Sequence, residues 1–156
     1  MTTAIDGEQM IDASSQRVWE AMNDPKILMA CVPGCHSFEK IGENLFEAAI
    51  TIKFGPIKAD FSGLITVSNI NAPKSYTISG EAAGSIAGFA SGSADVVLYD
   101  GETPDQTRLV YTASADLGGK IAQLGKWVVG STSRKLAQKF FERFNDQIKL
   151  QNATSS

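Results

Sequence analysis

Histidine and cysteine are scarce in this sequence, and their scarcity argues against a metal centre. The 156 residues include one histidine, His36, and two cysteines, Cys31 and Cys35, in the segment Cys-Val-Pro-Gly-Cys-His. A zinc site needs more such ligands, usually at Cys-x-x-Cys spacing, and intracellular cysteines rarely form disulfides. We therefore expect no metal and no other cofactor, with both cysteines packed as small apolar side chains around a Pro-Gly turn.

Long apolar runs and an excess of basic residues are also absent. No stretch approaches the roughly 18 apolar residues of a membrane-spanning helix, and residues 1–6 lack the basic start of a secretory signal. The net charge of −3 argues against nucleic-acid binding, which needs a dominant basic face. The sequence therefore predicts a soluble, cytoplasmic protein with one domain over residues 1–150 and a short polar tail at 151–156.

Apolar residues alternate with polar or small ones through most of the chain between Gly34 and Gly118. Each alternating run is typical of an antiparallel strand with one buried face. The clear runs cover residues 46–54, 57–67, 76–82, 90–98 and 109–117. A weaker alternation at 5–11 predicts another strand at the start of the chain.

Capping residues and helical spacing indicate three helices. Ser14 and Ser15 can cap a first short helix, and Asp24 followed by Pro25 starts a second. A long helix is predicted at about 119–150. Its apolar stripe moves to another face at 130–133, which indicates either a kink in the helix or a stripe that winds around a strongly curved sheet. The order is one strand, two short helices, about six antiparallel strands and a long helix. It predicts an α+β helix-grip fold, with a curved sheet wrapped around the C-terminal helix.

Small residues are concentrated in the middle of the predicted inward face, at positions such as Gly63, Gly80 and Gly92. A packed core mixes large and small side chains, so small residues on several strands predict an internal apolar cavity. The alternative is that they allow the helix to approach the sheet closely or the sheet to curve sharply. The predicted ligand-binding residues of the cavity are Phe54, Phe61, Gly63, Ile65, Ala82, Gly92, Ala94, Tyr111, Ala113, Leu124, Trp127 and Val128.

Acid–base groups are missing from the predicted inward face. The strand carboxylates have outward parity, which leaves Tyr76 and Tyr111 as polar groups near the cavity, and no catalytic triad or phosphate loop is found. The glycine-rich run at 84–92 is either a mobile loop at the cavity mouth or a plain strand connection. We therefore predict no catalytic residues and a protein that is not an enzyme.

Basic residues are concentrated at the C-terminal end of the chain. Residues 1–119 contain 7 Lys/Arg and 15 Asp/Glu, a net charge of −8, whereas residues 120–156 contain 7 and 2, a net charge of +5. This pattern indicates either a solvated helix face or a docking surface for an anionic membrane or an acidic partner. The predicted docking residues are Lys126, Arg134 and Lys135.

Five short motifs of the chain resemble those of one known family. They are CVPGC at 31–35, GPIKA at 55–59, ISGE at 78–81, AGFASGSA at 87–94 and GGKIAQLG at 118–125. In this order they are similar to motifs of the carbon monoxide dehydrogenase G-subunit (CoxG) family, over about residues 5–148. The resemblance implies a START-like fold of the polyketide cyclase (SRPBCC) superfamily, with a hydrophobic cavity. It also implies a protein that accompanies a molybdenum-containing CO dehydrogenase or a related hydroxylase and is implicated in associating it with the membrane and the quinone pool.

Together these observations predict a protein that binds an apolar small molecule, a lipid or a quinone, as an accessory to a cytosolic oxidoreductase. The cavity is predicted from the small residues, whereas the quinone, the oxidoreductase and a peripheral position at the inner face of the membrane are implied by the resemblance alone. One alternative is a cyclase- or hydratase-type enzyme of the START-like class. The other is an assembly factor whose cavity is incidental.

Overall fold

A computed structural model describes residues 1–84 and 88–154. The glycine-rich run at 84–92 is therefore described only in part. Its residues 85–87, the centre of the expected loop or strand connection, lie outside the described residues.

Seven antiparallel strands form one curved sheet in the described part of the chain. They are β1 (Thr2–Ile11), β2 (Cys35–Gly42), β3 (Leu45–Phe54), β4 (Ile57–Asn71), β5 (Ser75–Gly84), β6 (Gly88–Asp100) and β7 (Thr107–Leu117). Their order across the sheet is β1-β7-β6-β5-β4-β3-β2, so β1 and β2 are the edges. Six strands follow the short helices, as predicted, but the sequence does not locate β2. Register shifts between Cys35 and Ser37 and between Lys40 and Gly42 interrupt its alternation, which hides the period of two.

The two short helices begin at the predicted caps. Helix α1 (Ser15–Met22) is capped by Ser14, whose side chain accepts a hydrogen bond from the backbone N–H of Arg17 at 3.2 Å. Helix α2 (Pro25–Cys31) is capped by Asp24, which accepts from the N–H of Lys26 at 3.0 Å. Each cap satisfies a backbone donor that the first turn leaves without a partner.

The C-terminal helix is interrupted, but at a different point from the predicted kink. A short helix α3 (Lys120–Gln123) is followed by the long helix α4 (Lys126–Thr154). Gly125, between them, has φ +88°, a backbone conformation that glycine adopts readily and that ends a helix. Helix α4 then continues through 130–133 as one helix and extends beyond the predicted end at 150, which favours winding of the apolar stripe along the helix over a break at 130–133.

Two separate apolar clusters pack the sheet against the helices. The larger cluster lies under α1, α2 and the C-terminal half of α4, and includes Phe46, Leu109 and Phe144. The smaller cluster lies under α3 and the start of α4, and includes Phe61, Ile121 and Val129. Helix α4 contacts β1 near one edge and β3 and α2 near the other, so the sheet wraps around it. This is the predicted helix-grip fold.

Candidate ligand-binding cavity

A cavity of about 370 Å³ lies on the inner face of the sheet, where small residues replace large ones. Its lining is contributed by β3, β4, β5, β6 and β7. Seven of the predicted cavity residues line it: Phe61, Gly63, Ile65, Ala82, Gly92, Ala94 and Ala113. The strand parity read from the sequence therefore places these residues together.

A second cavity of about 260 Å³ adjoins the first and lies beneath α2 and α4. Ile65, Ile78 and Ala94 line both, so the two form one contiguous apolar space. Tyr111 of the predicted set lines this second part. Sequence reasoning missed most of its other walls, among them Leu28, Phe38, Phe46, Ala137, Phe140 and Phe141. For those on α4, the signal is the apolar stripe of that helix, which equally indicates a packed core.

Glycine occupies positions on the cavity floor for two different reasons. A Cβ atom on Gly63 would collide with the backbone carbonyl oxygen of Glu81, and one on Gly92 would lie 2.7 Å from the carbonyl oxygen of Ser114. A Cβ on Gly80, in contrast, would meet its nearest neighbour only at 3.6 Å. Gly63 and Gly92 therefore permit close strand approach, whereas Gly80 borders open space. Gly80 therefore fits the predicted cavity, whereas the close contacts of Gly63 and Gly92 are with neighbouring strands and not with a helix.

Four predicted wall residues lie elsewhere. Phe54 and Leu124 pack in the smaller cluster beside Ile121, and Val128 lies over the turn at Gly55, whose added Cβ would be 3.5 Å from it. Trp127 is 81% exposed. Helical spacing from Leu124 predicts an inward position for Trp127 and Val128, but the break at Gly125 resets the phase of the helix.

Tyr111 supplies a phenol at the wall of the second cavity. Its ring stacks on Phe141 with centroids 5.4 Å apart, and its hydroxyl lies over Gly7 of the neighbouring strand β1. Burial and, secondarily, the charge of Asp6 raise the pKa of Tyr111. The phenol therefore stays protonated at neutral pH and can donate a hydrogen bond.

Tyr76, the other predicted polar group, lies in the larger cluster instead of at the cavity. It is 3% exposed and packs edge-on against Trp19 with centroids 4.8 Å apart. Its hydroxyl has no hydrogen-bond partner within the described residues, and burial raises the pKa of Tyr76. This group contributes to packing and does not line the apolar space.

Among the described residues, the carboxylates and thiols lie apart from the cavity except for Glu81, which belongs to its lining but is exposed. The strand carboxylates Glu47, Asp60, Glu81, Asp95 and Asp116 are exposed, and no group of three His, Cys, Asp or Glu in the described ranges is placed to hold a metal. The two cysteines are free thiols. Cys31 is fully buried, and burial raises its pKa to about 11.

A larger groove of about 610 Å³ lies on the opposite, outer face of the same strands. Serine and threonine side chains line it together with the carboxylates of Glu81 and Asp116. Its polar lining does not suit an apolar ligand, which is better accommodated by the inner cavity.

The predicted docking residues do not form a single patch. Lys126, Arg134 and Lys135 are all exposed, but Arg134 folds back over Gly130, whereas Lys135 lines a cleft toward β3. Neighbouring helix positions differ by about 100°, which separates these last two side chains. None of the helices in the described ranges is long and apolar enough to span a membrane.

Comparison with solved structures shows which folds the chain resembles. A conserved protein from Geobacillus kaustophilus is 29% identical, with a TM-score of 0.86 over 96% of this chain and 95% of that one. A START superfamily protein from Mycobacterium smegmatis is 9% identical, with a TM-score of 0.73 over 94% and 97% of the chains. The ZhuI aromatase/cyclase from Streptomyces sp. R1128 is 10% identical, with a TM-score of 0.69 over 96% and 94%. The fold is therefore START-like.

Comparison of the sequence with protein-family profiles gives a more specific result. No curated protein matches the chain. The family profile of the carbon monoxide dehydrogenase G-subunit (CoxG) matches residues 7–149, which include the whole cavity and nearly all of α4. The chain belongs to the carbon monoxide dehydrogenase G-subunit (CoxG) family.

Proposed function

We propose that the protein binds an apolar small molecule, a lipid or a quinone, in the contiguous cavity between the two apolar clusters. The observation that carries this proposal is the cavity itself, which crosses five strands and is lined mainly by Ala, Gly, Ile and Phe residues, with serines among them. Its first part alone, about 370 Å³, falls within the range of small-molecule pockets. Transfer of an apolar ligand from water into such a space is favourable by roughly 25 cal/mol per Å² buried.

Family membership supports a role as an accessory to an oxidoreductase of the molybdenum CO dehydrogenase type. In this role the bound molecule couples the enzyme to the membrane and its quinone pool. The exposed pair Lys126 and Trp127 supports peripheral contact with an anionic membrane, because tryptophan favours the membrane interface and each basic residue near it adds about 1 kcal/mol.

A binding role accounts for the cavity better than the enzymatic alternative. The similarity to an aromatase/cyclase concerns the fold alone. Tyr111 and Glu81 are the titratable side chains among the described lining residues, and Glu81 is exposed on the outer face of β5. One phenol can orient a ligand by a hydrogen bond, but it leaves general acid–base chemistry without a second group.

Native mass spectrometry of the purified protein, followed by solvent extraction, tests the binding role. We expect an apolar molecule bound at a stoichiometry of about one, or a shift to the bound mass when a quinone or a lipid is added. A protein that binds neither class, and whose melting temperature is unchanged by both, would contradict the proposal.

Co-sedimentation with anionic vesicles at low and high salt tests the membrane contact. The variant K126E/R134E/K135E should lose binding, whereas a control with the same charge change elsewhere, K26E/K40E/K74E, should retain it. Wild-type protein that ignores anionic vesicles at low salt would show that the membrane contact is wrong. Co-purification with the oxidoreductase tests the partner separately, and an unchanged yield for the K126E/R134E/K135E variant would exclude this surface as the site of contact.

A further inference from the structure

A basic cleft lies between the N-terminal half of α4 and the end of β3. It has a volume of about 310 Å³, and its lining includes three lysines, Lys53, Lys135 and Lys139. The hydroxyl residues Thr51 and Thr132 also line it, and none of the carboxylates that the structure describes does. Such a concentration of one charge is unusual in a chain whose net charge is −3.

The three lysines are not neutralised by neighbouring acids. The ion pairs in the described residues involve the terminal amino group, Arg108 and Lys149, and none involves a lysine of the cleft. Asp60 is hydrogen-bonded to the cleft lining: its carboxylate accepts a hydrogen bond of 2.5 Å from the hydroxyl of Thr51. The ammonium groups therefore remain available to an incoming anion.

The arrangement of lysines also works against the stability of the sheet. Lys53 lies directly opposite Lys58 in the pairing of β3 with β4, and like charges at opposite positions destabilise a sheet. Both side chains are exposed, and together they add to the positive potential beside the cleft. A bound anion would relieve this repulsion.

The cleft and the apolar cavity share a wall, because neighbouring residues of the chain line the two. Val32 lines the cavity and Pro33 lines the cleft, and on α4 the same division falls between Leu136 and Ala137. One side of the wall is fixed, because the N–H of Thr51 donates to the carbonyl oxygen of Gly34 at 3.0 Å. A molecule lying between this loop and α4 can place a polar end in the cleft and an apolar end in the cavity.

We infer that the ligand is an acidic amphiphile, whose carboxylate or phosphate binds the cleft lysines while its apolar chain occupies the cavity. This inference rests on the proposed function, since it describes the polar end of the ligand whose apolar end lies in the proposed cavity. Lysine ammonium groups bind such anions through charge-assisted hydrogen bonds, and the cavity supplies the hydrophobic contribution. A neutral quinone or a neutral lipid would leave the cleft unused.

Binding of two chain-matched probes distinguishes the two halves of the site. The probes are a fluorescent long-chain fatty acid and its methyl ester, titrated against the wild type, the cleft variant K53Q/K135Q/K139Q and the control K26Q/K40Q/K74Q. The control removes the same charge from exposed lysines outside the cleft. We expect the wild type and the control to prefer the acid by about tenfold or more, and the cleft variant to bind acid and ester alike.

The other possible results of these titrations contradict the inference, the proposed function or both. Equal binding of acid and ester by the wild type would overturn the acidic head group while leaving the apolar cavity in place, and no binding of either would overturn both proposals. An acid preference that survives in the cleft variant would also overturn the inference, because another site would then recognise the charge. Inorganic phosphate should displace the acid only weakly, and displacement as effective as that by a second acidic amphiphile would show that the cleft takes a free anion instead.

Discussion

The hydroxyl of Tyr111 lies directly over the α-carbon of Gly7, so the position of a cavity wall depends on a glycine in the neighbouring strand. A Cβ atom on Gly7 would be 2.5 Å from the Tyr111 hydroxyl oxygen. The two residues are opposite each other in the pairing of β1 with β7. The absence of a side chain at residue 7 is therefore what lets the phenol lie flat against the sheet and leaves the cavity open.

Replacement of Gly7 by alanine should displace the Tyr111 ring and reduce the cavity. Because the atom in conflict is the far end of a side chain, rotation of the ring can relieve the clash, and we expect a loss of stability below about 1.5 kcal/mol. Binding of an apolar probe should weaken several-fold in titrations. The matched control is G42A, whose added Cβ makes an ordinary contact of 3.5 Å with Leu45, and it should bind the probe like the wild type.

Phenylalanine at Ala94 or Ala113 should fill the cavity. In a packed core such a substitution costs about 1–3 kcal/mol, but these side chains border open space, so a smaller cost is expected together with loss of probe binding. Thermal denaturation and probe titration measure the two effects. If the variants lose much of their melting temperature and the wild type binds no apolar probe, the space is too small to be functional.

Alanine substitutions at two floor glycines should have opposite consequences for stability. G63A forces a Cβ against the backbone of Glu81, which cannot rotate away, so we expect a loss of about 2 kcal/mol or more. G80A meets only ordinary contacts and removes unfolded-state entropy, so it should be neutral or stabilising by up to about 1 kcal/mol. Urea denaturation of both variants measures the difference, and equal losses would contradict the distinction between close approach and open space.

The break at Gly125 should make the start of the C-terminal helix the easier part to open. Helix α3 has only 4 residues, and Gly130 weakens the first turns of α4 by up to about 1 kcal/mol relative to alanine. Hydrogen exchange of the ligand-free protein should therefore be faster at 119–130 than at 134–146. Equal protection of the two segments would exclude this end of the helix as the gate for the ligand.

Stability should fall as the pH rises through the range in which the Cys31 thiol ionises. In the unfolded chain this thiol ionises near pH 9.0, whereas burial raises the pKa in the folded protein to about 11. The unfolded state therefore loses its proton first, and the contribution of Cys31, up to about 3 kcal/mol, is present below pH 9 and is lost toward pH 11. Urea denaturation across this range should show a smaller fall for C31A than for the control C35A, which retains the buried thiol.

Local signals made most of the fold predictable from the sequence. The alternation of strands and the caps at Ser14 and Asp24 depend on neighbouring residues, and they give the correct architecture. Of the two explanations for the shifted stripe at 130–133, the continuous helix α4 favours winding. The break at Gly125 was not predicted, because Gly125 and Gly130 look alike in sequence and only tertiary packing decides which one adopts a positive φ. The inward position predicted for Trp127 was wrong for the same reason, since the break changes the phase of α4.

The sequence predicts only the part of the candidate site that depends on the alternation of inward and outward positions along the strands. Small residues on alternate positions identify the floor of the cavity, as at Ala94 and Ala113. The second part of the cavity arises from space left between large side chains such as Phe140 and Phe46, and no sequence pattern separates that space from a filled core. The basic cleft combines Lys53 with lysines of α4 more than 80 residues later, so only the folded chain shows it.

The small residues on the floor of the cavity lie outside the two apolar clusters, so they can set selectivity while the clusters set stability. Residues that hold the helices in place, such as Phe144 and Ile121, lie outside the floor of the cavity. Positions such as Ala94 and Ala113 can therefore change size without dismantling either cluster. A lineage with this architecture is free to reshape its ligand pocket by single substitutions at the centre of the sheet, while the two clusters continue to specify the same fold.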